Sequence, residues 1–201
     1  MTKVLYLVIL IAENIHLGSK KEGVISLITE YPCLSNVFWE VRLNIDTWKY
    51  TLTLWLNSTF GLMLYLAFAI NSVGDAFIMK KGNIQSLLVI DPGYIPSATS
   101  KAIFNALKTH TLLNFRKEFE LACKKLGVRK QIDDFFIKVL NLNVNLAPYY
   151  EMLILKNRFL LYKGFKMHEW HRKDFRGYTF RIFKSLNNTS KEVTWNSLLF
   201  S

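Results

Sequence analysis

The sequence is poor in the residues that build disulfide-bonded, zinc-bound or disordered proteins. It has two cysteines, Cys33 and Cys123, which are far apart and not in a CxxC pair, so neither a disulfide framework nor a zinc site is indicated. Only 4 prolines and 9 glycines occur among 201 residues, of which 51% are hydrophobic, and this excludes intrinsic disorder. A folded, reduced, cytoplasmic protein is expected, with one core or a core and a smaller unit.

Motifs of catalytic chemistry are also absent from the sequence. It contains no Gly-x-Gly, no P-loop and no Gly-x-Ser-x-Gly, and its 4 histidines are scattered. His168 and His171 form an HxxH pair, but no third ligand lies close in sequence and HExxH is not matched. We therefore expect no enzyme activity, no cofactor and no metal in this chain.

Acidic residues are scarce in the second half of the chain. Residues 1–100 carry seven Lys/Arg and seven Asp/Glu, whereas residues 101–201 carry nineteen and eight, which places the whole +11 formal charge in the second half. A cationic field confined in this way indicates a polyanionic partner, either nucleic acid or an anionic membrane surface. Residues 156–184 mix basic with aromatic side chains, and we select four of them as candidate DNA phosphate contacts: Arg172, Lys173, Arg176 and Arg181.

Hydrophobic periodicity predicts an α+β fold. Runs at 3–12, 23–29 and 36–43 are rich in Val, Ile, Phe and Trp, which predicts three strands. Three- and four-residue spacing predicts one long or broken buried helix over 47–70. Two short strands are expected after it, joined through a turn at 80–83, which contains Lys80-Lys81, and a short turn of helix around 84–86. The first 96 residues are therefore expected to form a small mixed sheet with a long buried helix.

Beyond residue 96 the pattern is helical. Helices are predicted from 97 or 100 to 108, from a Thr111 cap to Gly127, from about 130 to 140 and from 150 to 162. We divide the chain into an α+β unit at 1–96, a helical segment at 97–142 and a basic, aromatic C-terminal extension at 143–201.

The apolar run at 52–70 approaches the length of a membrane-spanning helix. Its first half nevertheless contains Asn57, Ser58, Thr59 and Gly61, which favours a helix buried within a water-soluble fold. A small membrane-associated protein with a basic cytoplasmic tail is the alternative. A second run, at 4–12, is as long as a signal-peptide core but lacks a small-residue cleavage pattern and is interpreted as a strand.

Four segments, read in order, resemble one known family. They are LSNVFWEVRL, KYTLTLWLNSTFGLMLYLAFAI, AFIMKKGNIQSLLVIDP and FRKEFELACKKLG. Together they look like the C-terminal portion of adenine-N6 DNA methyltransferases, which belong with the target-recognition domains of type I restriction specificity subunits. LWLNSTF at 54–60 and MKKGNIQSLLVIDP at 79–92 carry most of the resemblance.

The resemblance implies a target-recognition module of a restriction-modification system, non-catalytic alone. Such a module binds double-stranded DNA and positions it for a separate methyltransferase subunit or domain. Lys80 and Lys81 are then candidate phosphate contacts. The polar residues 57–59 are interpreted as a helix cap or kink and not as base contacts.

The resemblance does not extend to the catalytic motifs. Methyltransferases of this family need a Gly-rich turn for S-adenosylmethionine and an Asn/Asp-Pro-Pro-Tyr/Phe loop for the flipped adenine. Asp91-Pro92-Gly93-Tyr94 comes near the second motif but has glycine at the third position, and we interpret it as a turn. A methyltransferase with a degenerate loop here is the remaining alternative.

Overall fold

The computed structural model describes residues 8–18, 23–29, 36–43, 45–71, 76–108, 110, 113–161 and 193–194. Within them, helices and small antiparallel sheets confirm the predicted α+β class. The strands are β1 (Val8–Ala12), β2 (Asn14–His16), β3 (Ser26–Thr29), β4 (Phe38–Val41), β5 (Ile70–Asn71), β6 (Ala76–Ile78), β7 (Leu88–Val89) and β8 (Val193–Thr194).

The helices are α1 (Trp48–Asn57), α2 (Thr59–Phe68), α3 (Lys81–Gln85), α4 (Ser97–Leu107), α5 (Phe115–Cys123), α6 (Val128–Val139) and α7 (Ala147–Leu161). A 3-10 turn spans Pro92–Tyr94. The domain boundaries proposed from the sequence stay a prediction.

The strands form small sheets with the orders β3-β1-β4, β2-β6-β5 and β7-β8. All five residues of β1 are buried, as expected for a central strand covered on both faces. Each strand pair among the described residues is antiparallel, so the single mixed sheet of the prediction is wrong in this detail.

The predicted helix over 47–70 is broken at Ser58, where the backbone is extended with φ −72° and ψ 168°. The two halves, α1 and α2, meet at 74°. Gly61 allows the bend, because a Cβ there would lie 2.2 Å from the Trp55 carbonyl oxygen. Both halves are buried over most of their length, so the prediction of a buried, broken helix is confirmed.

One hydrophobic core joins the strands, α1 and α2 to α5, α6 and α7. Trp55 lies at its centre, with its ring 5.6 Å from that of Phe60 and 5.1 Å, edge-on, from that of Phe136. Aromatic rings in such arrangements add to the stabilisation that burial provides. The predicted α+β unit and the helical segment therefore share a core.

The start and end of α5 differ from the prediction. Thr111, the expected cap, lies outside the described residues, and the cap is Asn114, whose side chain accepts a hydrogen bond from the Lys117 backbone N–H at 3.0 Å. The helix ends at Cys123 and not at Gly127, and Leu126, which lies beyond its end, is 58% exposed. Gly127, with φ 94°, precedes α6 and does not terminate α5.

Candidate nucleic-acid interface

The LWLNSTF segment forms the break between α1 and α2, and its polar residues are buried. Asn57 ties α1 to β3, because its side-chain oxygen accepts hydrogen bonds from the Ile25 N–H at 2.9 Å and the Ser26 N–H at 3.3 Å. Its amide nitrogen donates to the Ser26 carbonyl at 2.6 Å. Asn57 thus makes the backbone hydrogen bonds that a neighbouring strand would otherwise make with β3. Its side-chain amide is used entirely for hydrogen bonds inside the fold.

Ser58 and Thr59 begin α2. The Ser58 hydroxyl accepts a hydrogen bond from the Gly61 N–H at 3.1 Å, as an N-cap does. The Thr59 N–H and hydroxyl donate to the two carboxylate oxygens of Asp133 at 2.7 and 2.6 Å. The prediction that residues 57–59 cap or kink the helix is confirmed, and no side chain of the three is exposed for a base contact.

Two oppositely charged side chains on α6 neutralise the two helix ends at this break. Arg129 donates to the Asn57 carbonyl at 2.6 Å and to the Gly23 carbonyl at 2.8 Å, so a cation meets the C-terminal end of α1. Asp133, one turn later on α6, meets the N-terminal end of α2. Both placements match the sign of the helix dipole.

Arg129 and Asp133, together with residues 57–59, Glu118 and Tyr150, form a buried cluster. The Arg129 guanidinium lies 5.1 Å from the ring centre of Phe115. Glu118 accepts a hydrogen bond from the Arg129 N–H at 3.1 Å and so caps α6, while the Tyr150 hydroxyl donates to Asp133 at 2.8 Å. Arg129 and Asp133 are fully buried and Glu118 nearly so. This cluster therefore belongs to the interior, and its charges do not face a ligand.

Burial sets the ionisation of the buried cluster. It raises the pKa of Asp133 from the ordinary 3.8 to about 6, although the hydrogen bonds from Thr59 and Tyr150 and the charge of Arg129 oppose the shift. Burial likewise raises the pKa of Tyr150, and it lowers the pKa of Arg129 against the attraction of Asp133 and Glu118. Asp133 is consequently the group of the cluster that titrates near neutral pH.

Lys80 and Lys81 are exposed, as a phosphate contact requires, but they do not lie on a turn between two paired strands. Lys80 is the N-cap residue of α3 and Lys81 its first residue. The strands on either side pair elsewhere, β6 with β2 and β5, and β7 with β8. The predicted turn is thus the start of a short helix that was expected only around residues 84–86. Asn83 holds this helix to the fold, because its side chain donates a hydrogen bond to the Phe68 carbonyl at 2.7 Å.

Asp91-Pro92-Gly93-Tyr94 forms a tight turn, in agreement with its interpretation. The Asp91 carboxylate accepts a hydrogen bond from the Gly93 N–H at 2.8 Å and caps the 3-10 turn. Pro92 is buried, whereas Tyr94 is 52% exposed.

Arg172, Lys173, Arg176 and Arg181 lie outside the described residues, as do His168 and His171. Among the residues that the structure describes, no three His, Cys, Asp or Glu side chains are grouped as metal ligands. Cys123 is an exposed free cysteine, and partial burial and the carboxylates of Glu151 and Glu120 raise the pKa of its thiol. A raised pKa reduces the thiolate fraction, which disfavours a reactive nucleophile.

The surface of α4, α5 and α6 is dominated by lysines. Six are exposed and form no ion pair with any described residue: Lys101, Lys108, Lys117, Lys124, Lys125 and Lys138. The acidic side chains of these helices are either buried, as Glu118 and Asp133 are, or paired, as Glu120 is with Arg116 and Asp134 with Lys130. Unpaired positive charge is therefore exposed on or directly after each of these three helices.

No single helix of the described part of the chain is both long and apolar enough to cross a membrane. The bent pair of α1 and α2 meets that test together, by length and composition only.

Comparison of the chain with protein-family models, with curated proteins and with solved structures finds no match in any of the three. The candidate interface therefore stands on its residues and geometry.

The sequence patterns used above did not point to the lysines of α4 or to the charged residues of the buried cluster. Arg129 and Asp133 were not singled out, although they fall on the same side of α6 as the buried Ile132 and Phe136. Charged residues at the apolar positions of an amphipathic helix are a usable signal, because they require buried partners. The lysines of α4 have a weaker signal, since solvated lysines are common on helices.

Proposed function

We propose that the chain is a DNA-binding target-recognition module of an adenine-N6 DNA methyltransferase or restriction-modification system. In this proposal it acts in the cytoplasm, is not catalytic alone and positions double-stranded DNA for a methyltransferase subunit or domain. One observation carries the DNA-binding part: the unpaired positive charge on α4, α5 and α6, whose carboxylates are mostly buried or paired.

Charge of this kind favours a phosphate backbone as the partner. Lysines neutralise phosphates and release counterions, so binding is strong at low salt and falls steeply as salt rises. A lysine already bound to a carboxylate contributes little to this effect, which makes the six unpaired lysines the relevant ones. The candidate contacts Lys80, Lys81, Arg172, Lys173, Arg176 and Arg181 would add further phosphate contacts.

The methyltransferase part rests on the ordered sequence segments. The LWLNSTF segment has a structural role in this fold, because its polar residues join α1 to β3 and α2 to α6 inside one core. The Asp91-Pro92-Gly93-Tyr94 turn uses its carboxylate internally, which is consistent with a chain that relies on a separate catalytic subunit.

An electrophoretic mobility shift with a duplex oligonucleotide, repeated over a series of salt concentrations, tests the DNA-binding part. We expect a shifted band at low salt that disappears as salt rises. Flotation with anionic lipid vesicles is the control, because a membrane-surface protein of the same charge would float with the vesicles and leave the duplex unshifted. That result would overturn the proposal.

Affinity for S-adenosylmethionine tests whether catalysis belongs to a separate methyltransferase subunit. Calorimetry of the isolated chain should show no heat of binding, whereas a complex with a methyltransferase subunit encoded next to it should bind the cofactor and transfer methyl groups to duplex DNA. Heat of binding to the isolated chain would support the degenerate methyltransferase instead.

A further inference from the structure

The exposed side of α4 has a composition suited to close contact with a polyanion. Its buried side consists of Ser100 and Leu107, with Ile103 and Phe104 half-buried. The other side exposes Ser97, Ala98, Thr99, Lys101, Ala102, Asn105, Ala106 and the adjoining Lys108. This fully described helix has no acidic residue and no large apolar side chain on its exposed side, which we call the α4 face.

The α4 face is held rigidly on α1. The Thr51 hydroxyl donates a buried hydrogen bond to the Ser100 hydroxyl at 2.7 Å. The Tyr50 ring lies 5.3 Å from the ring of Phe104. Contacts of both kinds fix the position of α4 on α1, so that the exposed side of α4 is presented at a defined place on the fold.

Lys101 is positioned without losing its charge. Its ammonium nitrogen lies 5.9 Å from the centre of the Tyr50 ring, which also carries the Lys49 ammonium at 5.3 Å. An aromatic ring attracts a cation through its quadrupole and has no net charge. Lys49 is paired with Asp46, in contrast to Lys101, which forms no ion pair with the described residues. The full charge of Lys101 is therefore available to a phosphate.

The surroundings of the α4 face reinforce its charge. No Asp or Glu occurs in the sequence between Asp91 and Glu118. Lys101 and Lys108 are seven residues apart and fall on the same side of the helix, about 10 Å apart along its axis at 1.5 Å per residue. This spacing corresponds to roughly three base-pair steps of about 3.4 Å. Asn105, an amide that can pair with a base edge, lies between them.

We propose that the α4 face is the surface that docks duplex DNA, with Lys101 and Lys108 contacting phosphates. The small side chains between them allow the helix to approach the major groove, which is about 12 Å wide and admits an α-helix. A membrane surface is the poorer occupant, because interfacial helices insert large apolar side chains that this face lacks. This inference rests on the proposed function and assigns its contact surface.

Two matched double variants test the inference. The α4 variant, Lys101→Ala with Lys108→Ala, removes the proposed contacts. The α5 variant, Lys117→Ala with Lys124→Ala, removes two exposed, unpaired lysines that are also seven residues apart; Lys117 lies on α5 and Lys124 directly follows it. Both variants and the unaltered chain are titrated into a fluorescent duplex oligonucleotide over a series of salt concentrations. Thermal unfolding confirms that each variant is folded.

We expect the α4 variant to bind about tenfold more weakly near 0.1 M salt, and the slope of log K against log salt to become shallower by roughly 2, or about 0.9 for each lost phosphate contact. The α5 variant removes two other lysines of the same unpaired set, so it should lose clearly less affinity and change the slope clearly less than the α4 variant does. Equal losses in both variants, or a larger loss in the α5 variant, would overturn the assignment of α4 and leave DNA binding itself in place. If the unaltered chain does not bind the duplex, the proposed function fails and the inference fails with it.

Discussion

Charged side chains serve opposite purposes in two regions of this molecule. At the break between α1 and α2, Arg129 and Asp133 are fully buried, hydrogen-bonded and aligned with two helix ends. On the α4 face, Lys101 and Lys108 are exposed and form no ion pair with the described residues. The net charge of a sequence therefore says little until the structure separates the charges that support the fold from those that remain free for a partner.

The largest predicted effect concerns the buried cation. Arg129→Ala leaves the carbonyls of Asn57 and Gly23 without a donor and Asp133 without its counter-charge. We expect a loss of about 3–5 kcal/mol in the free energy of unfolding, as for other broken buried pairs. Urea unfolding measures it. Arg116→Ala, which removes an exposed pair with Glu120, should cost no more than about 1 kcal/mol, and equal costs for the two variants would contradict the comparison.

A second prediction concerns the geometry of the break. Gly61→Ala places a Cβ against the backbone oxygen of Trp55, which has no side-chain freedom to move away. A loss of about 1–3 kcal/mol is expected in urea unfolding, typical of overpacking in a core. Gly82→Ala on α3 is the control, since nothing lies within 4 Å of a Cβ there. An unchanged stability of Gly61→Ala would mean that the close approach of α1 and α2 is not required.

The third prediction is a pH dependence that belongs to Asp133. Its native pKa of about 6 lies above the ordinary 3.8, so the native state binds this proton more tightly than the unfolded state does. The resulting stabilisation is present at low pH and is lost as the pH rises through about 6. Between pH of about 7.5 and 5, the unaltered chain should gain roughly 1–2 kcal/mol relative to Asp133→Asn.

Chemical unfolding of both proteins at each pH measures this difference. The groups facing Asp133 from the elements around it are Arg129, Thr59 and Tyr150. A difference that is constant with pH, or that changes in the opposite direction, would show that Asp133 does not titrate in this range.

The smallest predicted effect concerns the exposed lysines. The double variant Lys101→Ala with Lys108→Ala should change the free energy of unfolding by only about 0.5 kcal/mol, because surface substitutions rarely do more. The same unfolding assay measures it. A loss well above 1 kcal/mol would show that the contact between Lys101 and Tyr50 supports the fold, which would weaken the contrast between the two regions.

The sequence pattern predicted most of the helices and strands, but not which distant side chains contact each other in the fold. The polar residues 57–59 in an apolar run predicted the break, because such side chains cap helices, and the period of the apolar residues predicted α4 to α7 within a few residues. The three-residue strand β2 was missed, since so short a segment beside a turn has no measurable period. The carboxylate that binds Thr59 lies at residue 133, and no local pattern connects positions so distant in the chain.

The candidate interface was predictable only in part. The charge imbalance of the second half could be counted from the sequence, and Lys80 and Lys81 are exposed as expected. Which cations remain unpaired depended on packing, because Glu118 and Asp133 are withdrawn into the core while Glu120 and Asp134 pair with Arg116 and Lys130. The contact of Lys101 with Tyr50 joins two helices and follows from the docking of α4 on α1.

Equilibrium binding of the unaltered chain to a duplex oligonucleotide, followed by fluorescence anisotropy at salt concentrations from about 50 to 200 mM, decides whether the exposed lysines bind DNA phosphates. With at least Lys101 and Lys108 on phosphates, log K should fall against log salt with a slope of roughly −2 or steeper. Absence of binding at the lowest salt, or an affinity that does not change with salt, would contradict the claim that these surface charges bind DNA.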